Sequence, residues 1–587
     1  MLHLRTLVPA LFLMSSLSAW GADTEAAVEA DTAADTAATP SATASATGGT
    51  VILTLSGSLE LRPAPSWFGG HDLSLHEATI ALRKALRGPA TRVVLDLSEG
   101  YSGSLAAAEE LAAVIRAEHR PGHTVACLVD GAQDNVLVLT AACDETVLAS
   151  AGLMDVDGIA AESYYFKDAL AKIGISFHAV ASGEHKTAHE PFTANAPSAA
   201  GAQEFDELIH GLDRVLLDLS QRPAGTRPLT REMIVAARAK APQTPDLARE
   251  LKLVDATADP SAWLAKQPAP ITHVGEDTKT AGASGGGMAG FMQLWTKLQQ
   301  GDQGMKHAKA VAVVELAGEI VGGGDSQPGQ TIAPLDTCDM FDELATNDRI
   351  KAVVLRIDSP GGDANASDRI HHAVRRLAEK KPVVALFDGV AASGGYYIGC
   401  AADEIQVHRS TITGSIGVFA LVPDASAALD LLAIHRHSVS TGPRAETMSV
   451  TAPFSAERQA ALLQVIQDVD QRFQGLVAAR RKIDLAKVHD LAGGRVYIGE
   501  QAVANGLADG FGTLTTAVAA ARKRAGIEET LPLEIYPRER GLLARLGMGG
   551  VQTMLPYALG HEFARLQRFA QMRGVQVQAL ATVPAVQ

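Results

Sequence analysis

Apolar runs and amphipathic stretches alternate along this chain, and the same order occurs twice. Apolar residues recur at helical spacing over Leu105–Ile115 and again over Ile370–Leu377, so each copy should have a helix that packs one face on a sheet. Such β-α-β alternation predicts an α/β fold with largely parallel sheets and right-handed crossovers. The apolar runs predict buried strands at 51–55, 93–96 and 124–129 in the first copy and at 311–316, 353–356 and 382–387 in the second.

The duplication predicts two tandem domains. Each copy continues its third strand into a predicted Asp-Gly turn, at Asp130 in the first and Asp388 in the second. Near the end of each copy, Leu253–Asp255 is echoed by Leu507–Asp509. We therefore predict an N-terminal repeat over residues 50–282, a connector over 283–308, a C-terminal repeat over 309–545 and a tail over 546–587.

The N-terminal segment has the pattern of an export signal. Arg5 gives a positive start, and an apolar stretch follows over Leu7–Trp20 with small residues after it. A stable membrane span needs about 20 apolar residues, so residues 1–21 are interpreted as a cleaved signal peptide, with an uncleaved anchor as the alternative. Residues 22–49 are rich in Ala, Thr, Ser and Asp and predict a disordered linker.

Composition excludes some partners. The chain has 587 residues, of which 47% are hydrophobic, so it can bury two sizeable cores. Its formal net charge of −15, without a run of Lys and Arg, argues against a nucleic-acid partner. The four cysteines show no metal-ligand spacing and are predicted to be free buried thiols.

The two copies differ in the loop that follows the third strand. The second copy has Ser393 between small residues, whereas the first has no hydroxyl or thiol over Ala132–Val136. A serine is nucleophilic only with a base and with donors for the oxyanion. Gly394 supplies a backbone N–H beside Ser393, and Gly361 and Gly362, which follow a predicted strand, are candidates for further donors.

Several residues are candidates for the base. His371 and His372 lie on a predicted helix of the second copy, but no local pattern ties them to Ser393. Lys186 is chemically suitable because burial lowers a lysine pKa and frees the neutral amine. His185 and His189 have a spacing that could hold zinc, but no third ligand is evident, so no metal and no cofactor are predicted.

Four boxes together carry a resemblance to a known family, signal peptide peptidase A or protease IV in its long, duplicated form. They are Ala391–Tyr397 with the later Thr413–Gly417, Asp358–Gly362, Gly183–Phe192, and Arg495–Gly499. The resemblance covers roughly residues 50–540. It implies tandem ClpP/crotonase-like domains and a Ser-Lys dyad in which Ser393 is the nucleophile and Lys186 the general base. It further implies that Gly394 lies in the oxyanion hole and that Ser415 orients the lysine.

The resemblance also implies a function and a location. The expected protein is a periplasmic serine endopeptidase that degrades cleaved signal peptides and unfolded apolar segments, as a homotetramer associated with the inner membrane. Two alternatives stay open. One is an acyl-CoA enzyme of the crotonase type, and the other is a non-catalytic oligomeric scaffold, since the sequence around Lys186 departs from the family pattern.

The implied dyad would be divided between the two copies. Lys186 belongs to the first copy, and Ala445 occupies the equivalent position in the second. The nucleophile and the base would therefore come from different repeats.

Overall fold

The computed structural model describes most of both predicted repeats. The predicted signal segment 1–21, nearly all of the linker 22–49 and all but the last residue of the connector 283–308 lie outside the described residues. The described residues fall in one compact unit, Ala46–Gln587, and none of their helices is long and apolar enough to cross a membrane. The described residues are 48–61, 73–222, 227–274, 308–327, 329–442 and 444–537, with strand backbone at 577–580 and 585–586.

The first repeat contains a six-stranded sheet in which every pair of neighbours is parallel. The strand order is β7-β4-β3-β2-β1-β8. Its central strands are apolar and largely buried, as expected where helices cover a parallel sheet, and the edge strands β7 and β8 are partly exposed. The strands of this repeat are β1 Thr50–Thr54, β2 Arg92–Asp96, β3 Thr124–Gln133, β4 Glu145–Asp155, β5 Ala161–Glu162, β6 Ser176–Ala181, β7 Ala256–Ala258 and β8 Ile271–Val274.

The second repeat has the same strand order. All neighbouring strands in the order β19-β15-β14-β12-β9-β20 are parallel. In addition, β16 lies beside β14, and β18 pairs antiparallel with β16. Two tandem α/β domains with largely parallel sheets, the predicted fold class, are confirmed. The strands are β9 Ala310–Ala317, β10 Glu319–Ile320, β11 Thr331–Ile332, β12 Ile350–Ser359, β13 Gly361–Asp363, β14 Val383–Ala392, β15 Glu404–Val407, β16 Ile412–Gly414, β17 Phe419–Asp424, β18 Val496–Ile498, β19 Gly510–Phe511 and β20 Leu533–Tyr536.

Matching contacts recur in the two repeats. Asp255 donates its N–H to the Thr146 carbonyl and accepts from the Thr146 N–H, and Asp509 makes the same two contacts with Ile405. The long helices after β2 and β12 are each capped by a side chain, Ser104 in the first repeat and Asp363 in the second. Local sequence therefore builds the same unit twice.

Helices cover the sheets and fill the junction between the repeats. In the first repeat they are Leu75–Arg87, Leu105–Glu118, Val136–Ala142, Lys167–Ala171, Glu190–Thr193, Ala199–Ser220, Arg231–Arg238, Pro245–Glu250 and Pro260–Leu264, with a 3₁₀ turn at Thr187–His189. In the second they are Pro334–Thr346, Ala364–Ala378, Gly394–Gly399, Ser426–Leu431, Ala456–Arg481, Leu485–Leu491, Gly499–Asn505 and Leu514–Arg524.

The predicted Asp-Gly turns are wrong. Asp130 lies inside β3 and Asp388 inside β14, and both strands run on to the loop that carries the next helix. The parallel register shifts close to both positions, between Val129 and Gly131 in one repeat and between Ile357 and Ser359 opposite β14 in the other. The glycines therefore accompany an irregularity within a continuous strand, a common use of glycine in sheets.

A smaller mixed sheet joins the two repeats. Its order is β11-β10-β13-β21-β17-β6, in which β6 comes from the first repeat and pairs antiparallel with β17 of the second. The fourth strand, β21 (Val577–Leu580), comes from the predicted tail, and a last strand, β22 (Ala585–Val586), pairs with β5. This sheet brings the loop after β6 toward the loop after β14.

Candidate active site

Ser393 occupies a strained position between a strand and a helix. It follows β14 directly, precedes helix Gly394–Gly399 and has a φ of 54°. Positive φ is unfavourable for a residue with a side chain, and it persists where the surroundings enforce it. Here the Ser393 N–H donates to the Gly414 carbonyl over 2.8 Å. The side chain is fully buried.

The structure brings Lys186 to Ser393 although 207 residues separate them. The Lys186 Nζ lies 2.8 Å from the Ser393 Oγ, 2.9 Å from the Ser415 Oγ and 3.0 Å from the Ser415 carbonyl oxygen. Only 2% of the lysine is exposed. Three predicted site residues thus meet in one buried cluster, built from both repeats.

Close backbone packing positions the lysine. Lys186 lies in the loop between β6 and the 3₁₀ turn, against Gly493 and Gly494 of the second repeat. A Cβ at Gly494 would sit 2.5 Å from the Lys186 backbone nitrogen, and one at Gly183 would sit 2.3 Å from the Gly493 Cα. Only glycine lets the two loops approach this closely.

Burial sets the charge of the lysine. Removal from water lowers the pKa of Lys186 from 10.5 to about 7, while the nearby carboxylates of Asp470 and Glu204 act in the opposite direction. Burial also raises the pKa of Glu204 to about 7 and raises the pKa of Asp470. A large fraction of the amine is therefore neutral near pH 7 and can accept a proton.

The glycines predicted to serve the oxyanion lie on one side of Ser393. Gly394 begins the helix, where backbone N–H groups have no partner in the preceding turn. A Cβ at Gly394 would sit 3.2 Å from the Gly361 Cα, so Gly361 of β13 adjoins it, and Gly362 follows in the same strand. The Gly361 N–H donates to the Ser359 Oγ over 3.2 Å, whereas the Gly394 amide directly follows Ser393 in the chain.

Three other histidines raised by the sequence have structural partners of their own. The His371 Nδ1 lies 2.8 Å from the Tyr397 carbonyl oxygen, and burial lowers the pKa of this histidine to about 4. His372 is largely exposed and lies 3.7 Å from Asp368. The His189 Nδ1 lies 3.0 Å from the Thr193 Oγ1. Within the described residues, no group of three or more His, Cys, Asp or Glu residues could hold a metal ion.

The corresponding loop of the first repeat has a structural role. Asp134 follows β3 as Ser393 follows β14, but its buried carboxylate pairs with Arg238 at 2.8 Å and accepts from the N–H groups of Asp157 and Gly158. Ala445, the predicted counterpart of Lys186, is exposed. Of the four cysteines, Cys338 is partly exposed, and the other three are buried.

Sequence reasoning missed the residues around the lysine. Asp470 and Glu204 each lie in a long helix that carries other acidic residues, and no local pattern distinguishes them from the rest. The Gly493-Gly494 pair did carry a signal, because two glycines directly precede the Arg495–Gly499 box. A close approach of another loop could have been predicted there.

Comparison with known proteins identifies the family of this chain. Peptidase family S49 matches residues 125–261 and 375–528, two stretches that contain Lys186 and Ser393 respectively. Protease 4 of Salmonella typhi is 29% identical over 549 residues, 87% of this chain and 84% of that protein. A putative protease of Synechocystis is 32% identical over 249 residues, 42% of this chain and 86% of that protein. The chloroplastic serine protease SPPA of Arabidopsis thaliana is 34% identical over 220 residues, 37% of this chain and 32% of that protein. The chain therefore belongs to peptidase family S49 and is a serine peptidase.

Proposed function

We propose that this protein is an exported serine endopeptidase that cleaves signal-peptide remnants and unfolded apolar segments through a dyad of Ser393 and Lys186. The observation that carries the proposal is the 2.8 Å separation of Lys186 Nζ and Ser393 Oγ in a buried site. A nucleophile within hydrogen-bond reach of a base with a pKa near the working pH is what acyl transfer requires.

The hydrogen bonds around the amine fit a neutral base. A neutral amine has two N–H groups and one lone pair. The two N–H groups are directed to the two oxygens of Ser415, which lie 2.9 and 3.0 Å away. The lone pair then accepts the Ser393 hydroxyl proton, and Ser415 holds the lysine in that orientation.

In the first half of the reaction, the Ser393 Oγ attacks the carbonyl carbon of the scissile bond while its proton passes to Lys186 Nζ. The Gly394 N–H stabilises the oxyanion that forms. Collapse of this intermediate breaks the C–N bond, and the Lys186 ammonium gives its proton to the leaving amine. In the second half, Lys186 takes a proton from a water molecule as that water attacks the acyl carbon. Collapse of this second intermediate breaks the C–Oγ bond, and the Lys186 ammonium returns the proton to the Ser393 Oγ, which restores the free serine and the neutral amine.

The substrate class, location and assembly rest on other support. Relatives named Protease 4 and a serine protease support peptide substrates. Export to the periplasm is supported by the pattern of residues 1–21 in the sequence. A homotetramer and an association with the inner membrane are supported by the resemblance to the long form of the family.

A fluorophosphonate probe tests the dyad directly. The native protein should be labelled covalently, with the adduct on Ser393 in peptide mass spectra, and the labelling rate should rise with pH through about 7. Ser393→Ala and the heat-denatured chain are the controls that should remain unlabelled. A native chain that is unlabelled and cleaves no peptide would instead favour the non-catalytic scaffold.

A further inference from the structure

The mixed sheet contains a slot that the chain fills with its own tail. β13 has β10 on one edge, and β17 has β6 on one edge. Between their other edges lies β21, antiparallel to both. Since neighbouring strands lie about 4.8 Å apart, β13 and β17 stand about 10 Å apart and leave room for one extended chain.

The register of β21 places it alongside the catalytic loops. Leu580 pairs with Gly361, Ala579 with Gly362, and Gln578 with both Asp363 and Phe419. Gly361 adjoins Gly394, because a Cβ there would sit 3.2 Å from the Gly361 Cα. On the other side, β17 begins four residues after Ser415, which binds the lysine. The slot therefore runs alongside Ser393, the proposed nucleophile.

We propose that Val577–Leu580 occupies the peptide-binding slot of the peptidase as an intramolecular competitor and lowers its activity toward other peptides. This inference rests on the proposed function. Strand addition to two open edges uses backbone hydrogen bonds and accepts many sequences, so the slot suits an extended segment of an unfolded chain. β22 holds the tail at a second place through its pairing with β5.

Burial of the nucleophile agrees with an occupied slot. Ser393 and Ser415 are 0% and 1% exposed, although a nucleophile must meet its substrate. For a peptide to bind, β21 has to leave the slot. An internal competitor reduces the fraction of molecules that can bind, so it raises the apparent KM in inverse proportion to that fraction and leaves kcat unchanged.

Gln578→Pro in the full chain tests the competition. Residue 578 pairs with both neighbouring strands, so proline there removes a ladder hydrogen bond whichever side its N–H faces. Gln578→Ala keeps the N–H and is the matched control. With a short fluorogenic peptide, we expect KM to fall about fivefold or more in Gln578→Pro, with kcat unchanged, and to stay at the wild-type value in Gln578→Ala. Intact mass verifies that each chain keeps its tail.

A synthetic peptide of residues 574–583 should inhibit Gln578→Pro competitively and inhibit the wild-type chain less. Equal KM values in the wild type and both variants, together with equal inhibition by the peptide, would overturn the inference.

Hydrogen exchange tests whether β21 occupies the slot without a catalytic assay. In a Ser393→Ala background, backbone amides within 361–363 and 419–420 should be protected, and adding Gln578→Pro should accelerate their exchange while Gln578→Ala should not. No acceleration with proline means that the tail does not fill the slot. If exchange behaves as expected but no variant cleaves peptides, the tail does occupy the slot and the proposed peptidase function fails instead.

Discussion

The charge of Lys186 is the property of the site that is most open to measurement. With a pKa of about 7, half of the amine is neutral at pH 7, against about three molecules in ten thousand at the ordinary value of 10.5. The value of kcat/KM for an uncharged peptide should therefore rise with pH and level off above about 8. Lys186→Arg should be inactive across this range, because a guanidinium does not deprotonate in proteins.

Asp470→Asn shifts this profile in a direction that the structure fixes. The carboxylate favours the charged lysine, so its removal lowers the lysine pKa. The low end of the effect of a nearby opposite charge is about one unit. At pH 6 the neutral fraction would rise from about 9% to about half, which gives about a fivefold gain in kcat/KM, while at pH 8 the gain would be about a tenth and at higher pH it would vanish. Asn keeps the shape of the side chain and one oxygen that can accept from the Gln474 Nε2, which limits the structural effect.

The assay is the pH dependence of kcat/KM with an uncharged fluorogenic peptide. Asp468→Asn is the matched control, since Asp468 lies on the same helix but is exposed, and its profile should coincide with that of the wild type. An Asp470→Asn profile that is unchanged, or displaced to higher pH, would refute the assignment of a neutral lysine base whose pKa this carboxylate raises.

Three further outcomes are expected. Ser393→Ala should abolish peptide hydrolysis and leave the melting temperature nearly unchanged, as circular dichroism can measure, because a small side chain is lost. Lys186→Met should unfold at higher temperature than the wild type below pH 7. The folded lysine pKa of about 7 lies below the unfolded value of 10.5, so the wild type gains stability as pH rises between these values, and the difference should shrink toward pH 10. Gly394→Ala should lower kcat at least tenfold, because its Cβ would meet the Ser367 Oγ at 2.6 Å; full activity would exclude a tight oxyanion site here.

The pattern of apolar residues was sufficient to predict the two sheets and their main helices. Buried parallel strands such as β3 and β14 are continuous apolar runs. The helices after β2 and β12 have apolar residues at the spacing that places them on one face, against the sheet. The ends of the strands were not predictable in the same way. An Asp-Gly pair favours a turn in isolation, but at Asp130 and Asp388 the pairing with neighbouring strands continues and outweighs the local preference.

Only part of the candidate site could be predicted from the sequence. Ser393 lies in a distinctive loop, and Lys186 was selected through the resemblance of its surroundings. Glu204 and Asp470, the carboxylates that raise the lysine pKa, lie on helices in which no sequence pattern marks them. Their effect comes from a shared buried position, which depends on how the repeats pack.

Division of the site between the repeats makes the proposed base, Lys186, dependent on the whole fold. Lys186 reaches Ser393 only while β6 pairs with β17 and its loop packs on Gly493 and Gly494. The same packing removes the lysine from water, and this lowers its pKa to about 7, the range that the proposed base needs. In a chain whose repeats have separated, Lys186 would regain water, return to the charged form and cease to be a base. Proper assembly of the two repeats therefore controls both the position and the basicity of the lysine, so a partly folded chain would lack the neutral base on which the proposed hydrolysis depends.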